Sequence, residues 1–136
     1  MIATDACRHH ADDGSPCAYP RRAPYAGLFL AWSATRNLLS RDFNADYDAE
    51  IQALGERLMT PARFFQLCCD GFLVDEDLNR QGNAFATYYL SLQAPSLPCD
   101  LQELLDSDVE PAASWDHYDL LKPRLDLRFA QWQAGQ

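Results

Sequence analysis

Asp75, Glu76 and Asp77 are three successive carboxylates, the densest group of chemically capable side chains in the sequence. Hard oxygen donors of this kind suit magnesium or calcium, but the glycine-turned loop and closing bidentate glutamate of an EF-hand are absent. The same run suits a helix start, where a carboxylate at Asp75 accepts hydrogen bonds from exposed backbone N–H groups and complements the helix dipole. Cys7, His9, His10 and Cys17 offer softer ligands that zinc could use, at spacings matching none of the standard zinc modules. A nucleophilic pair needs a thiolate beside an imidazole and a donor for the developing oxyanion. Cys68 or Cys69 and His117 supply those residue types, yet nothing in the sequence brings them together. His117, between Asp116 and Tyr118 at a helix start, reads as a surface or capping histidine. With no nucleophile elbow, phosphate-cradling glycine loop or dinucleotide fingerprint, the expectation is a protein that is not an enzyme and holds no cofactor or metal.

The elements that must carry these residues belong to one domain. A chain of 136 residues with 48% hydrophobic and 23% charged residues is long enough to bury a single core. Its net charge of -9 repels phosphate and anionic lipid, so neither nucleic acid nor a membrane surface is an expected partner; the charge can steer association with a positively charged site, but solubility alone is the favoured reading of it. The apolar run from Leu28 to Trp32 is far too short to span a bilayer, and the first residues do not read as an export signal. Five cysteines without a repeated spacing argue against a secreted disulfide framework. Reduced thiols and a cytoplasmic location are expected.

Apolar spacing predicts an all-α fold, a compact helical bundle over residues 23–136 behind an irregular N-terminal arm over 1–22. A small hairpin in that arm or near Phe72 to Val74 stays open. Pro24 leads a central helix from Tyr25 to about Leu39, with Leu28, Trp32 and Leu39 on one stripe. Gly27 weakens that helix, which points either to close packing against another backbone or to simple tolerance. Arg41 to Asn44 reads as a polar break before an amphipathic helix carrying Tyr47, Ile51, Leu54 and Leu58. Thr60-Pro61 opens a helix that Asp70-Gly71 ends. Phe85, Tyr88 and Tyr89 share a face of the next helix, in which Gly82-Asn83 is either a join or a tolerated defect, and one of the two tyrosines can present its hydroxyl at the rim. Leu101, Leu104 and Leu105 mark a short surface helix. Ser114 caps a last helix from Trp115 to Trp132, which Pro123 should kink or divide.

Three segments carry a resemblance: Gly27-Leu28-Phe29-Leu30-Ala31-Trp32, the run from Asp75 through Gly82-Asn83 to Tyr88-Tyr89, and Trp115-Asp116-His117-Tyr118 through Lys122-Pro123 to Trp132. Together they resemble an uncharacterised family of small bacterial proteins, over most of the chain beyond the arm. Small acidic proteins of this type look like immunity proteins, which neutralise a toxin delivered by a neighbouring bacterium. The resemblance implies inhibition by occlusion of a cognate toxin with a basic surface. The residues chosen for that contact are Asp75, Glu76, Asp77 and Asn79, with Arg80 and Tyr88 at the rim. The alternative is a small ligand-binding domain or enzyme built on the acidic turn and a histidine.

Overall fold

A computed structural model describes residues 21–91 and 95–135. The cysteine and histidine group of the arm therefore lies outside the described residues, as does nearly all of the arm itself. The described chain forms seven α-helices and one 3-10 turn, with no strand among them. The hairpin alternative near Phe72 to Val74 gives way to a single antiparallel bridge between Leu39 and Leu78.

Helix α1 (Tyr25–Thr35) is the axis, since every residue from Tyr25 to Ser33 is buried and no solvent-facing stripe exists. It stops short of the expected Leu39 because Asn37 adopts a left-handed conformation, φ 60°, that redirects the chain. Leu38 and Leu39 are buried all the same, delivered to the core by the turn rather than by a helical stripe. Gly27 lies where a Cβ would already sit 3.4 Å from the Cβ atoms of Ala113 and Phe65. Close packing accounts for it, against side chains rather than backbone.

The expected break at Arg41 is instead helix α2 (Arg41–Asp46), because the Ser40 hydroxyl accepts the Phe43 N–H at 3.1 Å and Phe43 plugs into the core. Helix α3 (Asp48–Gly55) follows separately. Leu58, assigned to its apolar stripe, lies beyond the helix end and is 73% exposed. Helix α4 (Pro61–Cys69) matches both expected ends: Thr60 Oγ1 accepts the Arg63 N–H, and Asp70 turns left-handed at φ 55°.

After the 3-10 turn (Asp75–Asp77), helix α5 (Arg80–Tyr89) runs unbroken through Gly82-Asn83. Gly82 is required, since a Cβ there would press into the carbonyl oxygen of Leu38. Phe85 joins Trp32 and Phe129 in an aromatic cluster with ring separations of 5.0–5.6 Å. Helix α6 (Leu97–Leu104) starts earlier than expected, with the Ser96 hydroxyl accepting the Cys99 N–H. It is also no surface element: Leu101 is sealed, and Asp100 is only 4% exposed. Two arginines from helix α7 (Trp115–Ala134) hold that carboxylate, Arg128 by two bonds of 2.9 and 3.1 Å and Arg124 by one of 3.0 Å. Pro123 does not divide α7, which continues as one element with Pro123 on its exposed side.

Candidate functional site

The acidic turn is built from its neighbours upward. Val74 donates its N–H to Asp77 Oδ2 at 3.0 Å, so the capping carboxylate is Asp77, three residues on, rather than Asp75. Cys69 also points its thiol at Asp77 Oδ2, 3.4 Å away, and the Asp77 carbonyl accepts the Ser40 N–H at 3.0 Å. Asp77 is thereby drawn inward. Asp75 is left outside, 70% exposed in its side chain, with Arg21 reaching it at 3.1 Å while also donating to the Leu73 carbonyl. Glu76 faces solvent.

Asn79 has two structural duties. Its Oδ1 accepts the Gly82 N–H at 2.8 Å as the cap of α5, and its Nδ2 donates to the Asn37 carbonyl at 2.9 Å. Asn83 repeats the pattern one helical turn later, donating to the carbonyls of Asp75 and Leu78. These amides tie the turn to α5 and to the Asn37 carbonyl.

Arg80 forms no ion pair with the turn carboxylates among the described residues. It lines an open groove of about 490 Å³ with Ala84 and Trp132, between α5 and the end of α7. Tyr88 is 37% exposed and lies against Phe85, with ring centroids 6.2 Å apart, while Tyr89 is buried. The two tyrosines thus divide as their adjacency on a helix allows.

What sequence reading missed is the company the turn keeps. Helix α2 packs against the turn and α3 follows it in the chain, so Asp46 and Glu50 come close to the neighbourhood of Tyr47, Cys68 and Asp77. Tyr47 registers the result: its phenol is raised from the ordinary value by desolvation, then by the nearby Cys68, Asp46, Cys69 and Asp77. Burial likewise pushes the Cys68 thiol up to about 12, with Glu50 and Asp77 adding to the effect. None of Asp42, Asp46, Asp48, Glu50 or Glu76 makes an ion pair among the described residues. The high density of acidic residues from Asp42 to Glu50 was the available signal.

Those thiols are poor nucleophiles, because a catalytic cysteine needs a lowered pKa in an electropositive setting. His117 Nδ1 accepts the Ala112 N–H at 3.0 Å, where it fixes the loop leading into α7. Neither that groove nor the cleft between α1, α3 and α7 includes Asp75, Asp77 or His117. Among the described residues no group of three or more His, Cys, Asp or Glu side chains is placed to hold a metal ion. Cys99 is disulfide-bonded, which corrects the expectation of five reduced thiols. No helix among the described residues is long and apolar enough to cross a membrane.

The chain belongs to a family described as Domain of unknown function (DUF7832), whose model matches residues 3–114. That span includes most of the arm, which the resemblance left aside, and ends at Ser114, before the third motif. No curated protein and no solved structure matches the chain.

Proposed function

We propose that the protein acts by binding and covering a basic partner, in the manner of an immunity protein that occludes a toxin. The observation that carries the reading is a set of exposed acids without ion pairs among the described residues: Asp42, Asp46 and Asp48 on α2 and α3, and Glu76 on the 3-10 turn that α2 packs against. Charge gathered in this way speeds encounter with a positively charged surface and suppresses wrong partners. Asp75 and Glu76 supply the exposed part of the turn, Asp77 and Asn79 hold its shape, Arg80 lines the groove beside α5, and Tyr88 is exposed on the same helix. The Cys99 disulfide favours an oxidising compartment over the cytoplasm, where thiols are kept reduced.

Co-expression with a toxin encoded beside this gene tests the reading. The wild type should rescue growth, while Glu76→Lys combined with Asp46→Lys should lose rescue without losing the fold, because both side chains are exposed and neither makes an ion pair among the described residues. Undiminished rescue by the doubly reversed protein would exclude the acidic face as the contact.

A further inference from the structure

A second cavity lies away from the acidic turn. Helices α1, α3 and α7 leave a cleft of about 350 Å³ between them, in the size range of small-molecule sites. Its existence follows from small residues where the helices approach. Ala34 gives α1 little bulk, and α3 ends in Gly55, where an added Cβ would meet nothing within 4 Å. Ile51 and Leu54 add apolar surface to the lining.

The polar side chains in this cleft are the Tyr118 phenol, two cations and Thr35, whose hydroxyl donates to the Trp32 carbonyl at 2.7 Å. Tyr118, only 3% exposed, lies beside the Thr35 hydroxyl, and burial raises its pKa so that the phenol keeps its proton. The charged side chains in the lining are Arg57 and Lys122, with no carboxylate among the lining residues, in a protein whose net charge is -9. Arg57 lies 4.2 Å over the Trp115 ring and is bridged to Asp119, while Lys122 reaches Asp126 at 3.0 Å. Asp119 holds Arg57 by two bonds of 3.0 and 2.6 Å, whereas Lys122 makes one solvent-accessible contact with Asp126, so Lys122 is the cation best able to share its charge with an incoming anion.

We infer that this cleft binds a small carboxylate with a flat apolar body, the body lying against Ile51 and Leu54 and the carboxylate turned toward Lys122, Arg57 and the Tyr118 hydroxyl. An apolar lining with a few convergent donors and only cationic charge selects for that chemistry over a phosphate, which needs a denser set of donors. The site is independent of the acidic face.

The test is calorimetric titration of the full chain with 1-naphthoate and with neutral 1-naphthamide, alongside amide chemical-shift mapping. Naphthoate should bind saturably, with shifts centred on Trp115 and Tyr118, and about tenfold more tightly than the amide. Lys122→Gln should remove most of that preference while leaving naphthamide binding unchanged. Gly55→Leu, which places a side chain into open space, should abolish binding of both with the melting temperature preserved. Equal affinity for the two probes, no saturable binding by the folded protein, or shifts centred on Trp132 in the other groove would each overturn the proposal.

Discussion

The Tyr89 hydroxyl on α5 donates to Asp100 Oδ2 on α6 at 2.5 Å, between residues that are 0% and 4% exposed. That bond joins two helices through a carboxylate already gripped by Arg124 and Arg128 of α7, so three helices meet at one anion. Burial first, and then the bond to Asp100, raises the Tyr89 pKa and keeps its phenol a donor.

Removing the anion should therefore cost more than removing the phenol. Asp100→Ala leaves two arginines without their shared partner and should destabilise by about 3 kcal/mol, the lower end for a broken buried pair because both arginines keep some access to water. Tyr89→Phe should cost about 1 kcal/mol. Urea unfolding measures both; a phenylalanine variant weaker than the alanine variant would contradict the arrangement.

Two glycines should respond in opposite directions to alanine. At Gly82 the new methyl meets the Leu38 backbone, and the resulting overpacking should cost about 1–3 kcal/mol. At Gly55 it meets open space on a helical residue and should stabilise by up to about 1 kcal/mol. Thermal melts of the two variants should move to either side of the wild type.

Acid sensitivity should trace partly to Asp126. Burial acts to raise its pKa, but hydrogen bonds from the Trp32 indole N–H at 2.9 Å and from Lys122 outweigh burial and hold it below the ordinary value of 3.8. A carboxyl depressed in the folded state contributes stability that is present above its unfolded pKa and is lost as pH falls through its folded pKa. Asp126→Asn keeps an acceptor for the indole and loses the titration, so its stability should decline less steeply in acid than that of the wild type. Parallel pH profiles would show that Asp126 plays no part.

Thiol labelling should sort the cysteines. In the folded protein Cys68, pushed up to about 12, should react on the order of a thousandfold more slowly than a free thiol at mildly alkaline pH. In denaturant Cys68 and Cys69 should label at once, and Cys99 only after a reductant is added. Labelling of Cys99 in denaturant without reductant would contradict its disulfide.

Helix ends were legible wherever a short polar side chain and a proline or glycine agreed, as at Thr60-Pro61 and Asp70-Gly71, because those signals act within a few residues of themselves. The amide of Asn79 caps α5 and ties it to Asn37, a link across 42 positions that local spacing does not reveal. The short helix marked by Leu101, Leu104 and Leu105 read as a surface element for the same reason, since the arginines that hold its Asp100 carboxylate lie 24 and 28 residues away.

Composition and apolar spacing by themselves determined that this chain folds as a helical domain with a strongly acidic surface, since both follow from residue counts and from periodicities of three and four. The tertiary structure alone decided which acids face solvent and which are spent inside, as Glu76 and Asp77 show from adjacent positions. It also decided that the cleft between α1, α3 and α7 is lined by cations in an acidic protein. Burial and pairing depend on distances between segments far apart in the chain, and the packing of the core sets those distances.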